Sequence, residues 1–256
     1  MLPTKTFAAV SLMALSLAAP AYAGSVTTFA VTTDVQSNDI TWTENANGIG
    51  GTLNTAAGGN SVQFQYEHIA GLQSYLQGTL NAVEYINGGA GVSTSAVATQ
   101  DANYNDSISI NSAFTISYLL ATPVNVGGQM LSNLLTATIT PVTSGATLAG
   151  TDGGTSATYS ASTNIHNLYT VSFSSSFLNF GSGVGNSYSV SLAFNSVTPG
   201  FNLSGSDIAS FVADLVGTFA ANPVPTSIPE VPSAALLIIG MAAVGVASRR
   251  RAAASV

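Results

Sequence analysis

From Ser107 to Leu119 the chain reads SISINSAFTISYL. Ile108, Ile110, Phe114, Ile116 and Tyr118 share one parity; Ser107, Ser109, Asn111, Thr115 and Ser117 share the other. A period of two is the signature of a strand with one buried and one solvated face, and it cannot be met by a helix, whose apolar positions recur every three to four residues. The same alternation recurs in SVQFQYE (Val62, Phe64, Tyr66), NLLTATIT (Leu135, Ala137, Ile139), LYTVSFSSSF (Tyr169, Val171, Phe173, Phe177) and SYSVSLAF (Tyr188, Val190, Leu192, Phe194). Loops rich in Gly, Asn and Asp separate the runs: NANGIGG, AAGGN, INGGAG, GTDGG and NFGSGVG. Short, one-sided strands with regular punctuation predict an antiparallel β-sandwich over residues 24–222. In SDIASFVADLVGTFAA, Ile208, Phe211, Val212, Leu215, Val216 and Phe219 also fit a helical face, but Gly217 weakens a helix and favours a long final strand. Near HIAGLQSYLQG a short helical turn is expected, bounded by Gly71 and Gly78.

Charge narrows the function. The basic residues are Lys5, Arg249, Arg250 and Arg251, so the stretch between Gly24 and Pro229 has neither Lys nor Arg, while the whole chain carries a formal charge of −7. Nucleic-acid binding depends on cationic side chains that neutralise phosphates, and carboxylate substrates are clamped by Arg; the body can do neither. With no cysteine, disulfides, thiolate catalysis and Cys-based zinc sites are excluded.

The two ends have their own order. Lys5, the apolar run Phe7–Ala19, the break at Pro20 and the small-x-small site Ala21-Tyr22-Ala23 form a secretory signal peptide (1–23), cut by signal peptidase before Gly24. At the other end a Pro-rich linker (223–232) with Pro223, Pro225, Pro229 and Pro232 leads into an apolar run, Ser233–Ala247. That run is shorter than the roughly 20 residues of an ordinary span, and Arg249–Arg251 close it on the side expected to stay cytoplasmic. A Pro-Glu box (Pro229, Glu230, Pro232), a short apolar helix and a terminal Arg249-Arg250-Arg251 cluster together resemble the PEP-CTERM sorting signal of Gram-negative bacteria. Here the box reads Ile-Pro-Glu-Val-Pro, with Val231 interrupting the commoner Val-Pro-Glu-Pro. The resemblance covers about the last 25 residues. It implies that residues 233–256 form a transmembrane helix with a cytoplasmic end, that an exosortase-type enzyme processes the tail, and that the product reaches the cell surface or an exopolysaccharide matrix.

Candidate sites in the body are sparse. His68 and His166 are the two histidines; neither belongs to an HExxH or G-x-S-x-G pattern, and both read as loop or edge residues. Asp101, Asn103 and Asn105 place oxygen ligands at alternate positions, as at the start of a calcium loop. Asp106 stands where such a loop needs Gly, and Ser112 where it needs Glu. Two readings remain: a Ca²⁺ site from Asp101, Asn103, Asn105 and Asp106, or an Asx-rich turn. Trp42 could form a sugar-stacking platform or fill the sandwich core. Glu44, Glu67 and Glu84 are the carboxylates that a matrix-acting glycosidase would draw on. The expectation is a structural or adhesive surface protein without catalysis and without a required cofactor; a lectin-like or calcium-binding module is the alternative, with glycosidase chemistry behind it. Edge strands without Lys lack a common protection against pairing, so homotypic assembly is expected as well.

Overall fold

In the computed structural model the described residues are 26–35, 40–55, 58–88, 93, 96–142, 146–163, 169–181 and 187–226. The signal peptide, the Pro-Glu box, the apolar tail with its Arg cluster, and His166 lie outside them. Among the described residues no helix is long and apolar enough to cross a membrane.

The alternating segments form strands, and the structure is all-β with antiparallel pairing throughout. The strands begin with β1 (Thr27–Asp34), β2 (Ile40–Glu44), β3 (Gly51–Thr55), β4 (Asn60–Tyr66), β5 (Thr79–Asn87), β6 (Thr99–Gln100) and β7 (Asn105–Ile110). The long hairpin β8 (Phe114–Val126) and β9 (Gln129–Pro141) follows, then β10 (Ala146–Thr151), β11 (Ala157–Ser162), β12 (Tyr169–Ser174) and β13 (Leu178–Asn179). Last come β14 (Ser189–Thr198), β15 (Leu203–Ser204), β16 (Asp207–Ile208), β17 (Phe211–Ala221) and β18 (Val224–Pro225). The expected helical turn is a single 3-10 turn, Ser74–Leu76, whose Leu76 is buried.

One large sheet runs β12-β9-β8-β5-β3-β2-β17-β14-β11-β10-β7-β6, and β1–β4 form a second bridge between β17 and β5. The sheet folds over on itself. Rings from strands that are not neighbours meet across the interior: Phe114 of β8 with Tyr159 of β11 (5.3 Å), Tyr118 of β8 with Phe219 of β17 (5.5 Å), and Phe173 of β12 with Phe219 (6.1 Å). Two facing antiparallel layers around one aromatic-rich core are consistent with a β-sandwich.

The segment that began the sequence reading is two strands. Ile108 and Ile110 belong to β7, which pairs with β10; Phe114, Ile116 and Tyr118 belong to β8, which pairs with β5 and β9. Asn111–Ala113 carries the chain from one layer to the other. Because three residues separate Ile110 from Phe114, parity is kept and all five side chains reach the same core.

The ambiguous segment is the strand β17, and its burial alternates strictly from Phe211 to Ala221. One edge pairs with β14. The other is shared: β1 takes Thr218–Ala221 and β2 takes Phe211–Ala213. Between them β1 veers away to β4, and its side chains replace its backbone as partners. Thr32 Oγ1 accepts the Gly217 N–H at 2.8 Å, and Asp34 Oδ2 accepts the Leu215 N–H at 3.4 Å. Gly217 is needed at this point because a Cβ would lie 2.8–3.0 Å from the Phe219 ring and Thr32 Oγ1.

One boundary shifts. The body was expected to end at Asn222, but β18 pairs with β13, and the Thr226 N–H bonds the Phe177 carbonyl at 2.8 Å. Pro225 therefore lies in a strand, where it pairs with Leu178, rather than in the linker.

Gly217→Ala should cost about 1–3 kcal/mol by overpacking. Thr32→Val should cost about as much by leaving the buried Gly217 N–H without a partner. Urea denaturation would record both as a lower midpoint at unchanged slope.

Candidate functional site

Trp42 is in the core. It is fully buried in β2, its Nε1 donates to the Ile208 carbonyl at 3.0 Å, and its ring stacks with Phe211. A Cβ on Gly51 would fall 2.4 Å from the indole, so strand β3 closes over the ring. The sugar-platform expectation is thereby corrected: no face of the ring is open to a ligand.

The Asp101 segment is an Asx turn. Asp101 Oδ1 accepts the backbone N–H groups of Asn103 (2.7 Å) and Asn105 (3.0 Å), and Oδ2 accepts Asn105 Nδ2 (2.9 Å). The Asn105 side chain, followed by those backbone donors, holds the Asp101 carboxyl below its usual range. Strand alternation then turns Asp106 inward, fully buried, with Oδ1 accepting Gln100 Nε2 at 2.8 Å. The four expected Ca²⁺ ligands therefore do not converge, and among the described residues no group of three or more His, Asp or Glu is placed to hold a metal.

The three glutamates are far apart. Glu84 is buried in β5 opposite Asn60 at the start of β4. Glu67 follows the end of the same strand, about 23 Å away at about 3.3 Å per residue, and lies 4.0 Å from exposed His68. Glu44 opposes Gly51 on β3, whose Asn54 opposes Asn87; that register separates Glu44 from Glu84 by about 20 Å. Glu84 instead lies beside the buried Tyr118 hydroxyl. Burial first, and the Glu84 charge second, push that phenol well above its usual range.

Sequence reading missed two carboxyl pairs. Asp106 faces Asp152, which lies two residues beyond its cross-strand partner Gly150 and so on the same face. Burial raises the Asp106 value, and Asp152 adds to the rise. Asp207, fully buried in β16, is pushed up to about 6 by burial, with Glu44 adding to it. Its Oδ1 accepts the Ile208 N–H at 2.8 Å. No sequence motif links Asp207 to Glu44; β2 and β16 meet through tertiary packing. Because Asp106 and Asp207 are enclosed, the protonation of these pairs is coupled to folding stability.

What remains open to solvent is hydroxyl-rich. Across β5, β8, β9 and β12 the outward positions align in rows: Asn87–Thr115–Thr138–Ser172 and Tyr85–Ser117–Thr136–Ser174. Ser117 and Thr136 are 3.1 Å apart, and Thr136 also donates to Asn133. On the other layer a recess of about 260 Å³ is lined by Asn105, Ala149, Gly150, Thr151, Ser156, Ala157 and Thr158, none of them ionisable. Such surfaces offer hydrogen bonds and a partly exposed tyrosine ring. No family model, curated protein or solved structure matches the chain.

The buried carboxyls set a pH dependence. A carboxyl whose folded value is raised holds a proton that the unfolded chain releases, so its stabilising contribution is complete below the ordinary range near 4 and is lost as pH rises through about 6. Thermal stability should therefore increase from pH 7.5 to pH 4.5. Asp207→Asn should raise the melting temperature at pH 7.5 by a few degrees and flatten the profile, as scanning calorimetry across that range would show.

Proposed function

We propose that the chain is an exported structural or adhesive protein of the cell surface or an exopolysaccharide matrix, delivered by a PEP-CTERM-type tail, and that the body works by contact rather than by reaction. The observation that carries this reading is the uncharged hydroxyl and amide face over β5, β8, β9 and β12. It has the chemistry to exchange hydrogen bonds with a hydrated polysaccharide, and Tyr85 supplies an exposed ring for a sugar face. The N-terminal signal and the Pro-Glu box with its apolar run and Arg cluster supply the route: signal peptidase first, a membrane-held intermediate, then an exosortase-type enzyme. The terminal strands β12 and β6 carry no Lys, which leaves edge pairing between copies available to a matrix component.

A carbohydrate-binding module is the second reading. It is favoured by the recess on β7, β10 and β11, where Asn105, Thr151, Ser156 and Thr158 offer donors and acceptors without charge.

Two measurements separate the parts of the proposal. Intact mass of the mature protein from its native host should show loss of residues 1–23 and of the tail beyond about Pro232; retention through Val256 would instead identify a stable anchor. Co-sedimentation of the body with host exopolysaccharide should retain the protein, and Tyr85→Ala should weaken binding about tenfold, the loss of one stacking contact. If Asn105→Ala weakens it while Tyr85→Ala does not, the recess is the site.

A further inference from the structure

The β8–β9 hairpin runs well past its partner strands. Beyond Leu120, β8 has no partner in β5; below Thr136, β9 has none in β12. The two continue with only each other as strand partners, Val124 opposite Leu131, Asn125 opposite Met130 and Val126 opposite Gln129, and Val124 and Leu131 turn inward onto the core while Met130 faces out. Gly127 and Gly128 close the tip, both with positive φ (+59° and +87°), the two-residue turn that matches strand twist. Asn125 Oδ1 accepts the Gly128 N–H at 3.0 Å and fixes it. Met130 is 64% exposed. No Asp, Glu, Lys, Arg or His occurs from Ser107 to Thr151, so the hairpin has no charge to desolvate.

The end of the molecule from which this hairpin projects is also the end from which the tail departs. The Ser176 N–H bonds the Asn133 carbonyl at the hairpin's base, and the Thr226 N–H bonds the adjacent Phe177 carbonyl. The Phe177 ring is capped by half-exposed Tyr75, a residue type enriched at membrane–water boundaries. From Asn133 to Gly128 the hairpin spans five residues, about 17 Å at about 3.4 Å each. From Thr226 the chain has six residues, Ser227–Pro232, before the apolar run begins at Ser233. Six residues can span at most about 20 Å, so the chain is long enough for the apolar run to begin level with the hairpin tip.

We infer that the β8–β9 tip is a second membrane contact, resting in the headgroup layer of the bilayer that holds the apolar tail. This rests on the reading of residues 233–247 as membrane-inserted. Two contacts fix the orientation of the body relative to the bilayer, which a single attachment does not. The partner is lipid: the Gly127-Gly128 tip is uncharged, and the exposed Met130 side chain gains by leaving water and meets no opposing charge.

The absence of cysteine makes the test direct. Three variants of the full chain, Met130→Cys at the tip, Val142→Cys just past the other end of β9 and Val244→Cys in the tail, are labelled with an environment-sensitive nitrobenzoxadiazole dye. Each is reconstituted into phosphatidylcholine vesicles, zwitterionic so that the acidic body is not repelled. Dye at positions 130 and 244 should show blue-shifted emission that nitroxide-bearing lipid quenches, and dye at 142 should report water. Water-like emission at 130 with a lipid signal at 244 overturns the tip contact and leaves the tail reading standing. Water-like emission at 244 overturns the tail reading and the inference with it. A blue shift at 130 that lipid nitroxide does not quench, and that grows with protein concentration, identifies a second copy as the partner and overturns the lipid contact.

Discussion

The bond from the Gly217 N–H to Thr32 Oγ1 stands where the two layers of the structure are joined. Strand β17 gives one edge to two strands that enter from opposite ends, and between their pairings it has backbone donors with no strand to receive them. An unpaired N–H buried in a core costs about 1–3 kcal/mol. Thr32 and Asp34 of β1 satisfy two of these donors while β1's own backbone turns toward β4. The β1–β4 pair and the β2–β3 pair then both reach β5, and one continuous sheet can fold into two layers. The fork also fixes which side chains meet. Phe219 lies beneath it, touching Tyr118 and Phe173 from the opposite layer, and the lack of a side chain at Gly217 makes that contact possible.

A body without Lys or Arg handles its carboxylates in a particular way. Asp101 sits in solvent and is held by amide and backbone donors, so its charge is favoured. Asp106 and Asp207 are enclosed where ammonium and guanidinium groups are not available, and each has another carboxyl beside it. The alternative to a counter-charge is a proton, which raises their values and ties stability to pH. The same lack of basic residues leaves the described exterior to hydroxyl, amide and carboxylate groups.

The sequence made the strands legible because alternation is local: Val62, Phe64 and Tyr66, or Val190, Leu192 and Phe194, reveal their common face without knowledge of their neighbours. It also made β17 legible, since Gly217 inside a helix would be a defect whereas in a strand it permits close approach. What it could not show was where one strand becomes two. Asn111–Ala113 preserves parity across the change of layer, so the pattern reads as continuous. Trp42 was equally undecided, because a lone tryptophan in a strand carries no mark of which face will be covered. Asp101, Asn103 and Asn105 were undecided for a different reason: a turn that satisfies itself and a loop that waits for a cation use the same residue types at the same spacing.

By itself, then, the sequence determined an all-β body without cationic chemistry, set between two terminal segments that read as export and sorting signals, because periodicity and charge are properties of neighbouring residues and of counts. Tertiary structure decided the fork at β17, the burial of Trp42, the pairing of Asp207 with Glu44 and of Asp106 with Asp152, and the placement of the β8–β9 hairpin at the end where the tail departs. Each of these depends on residues tens to almost two hundred positions apart being brought together by strand register, and register is set by the whole sheet.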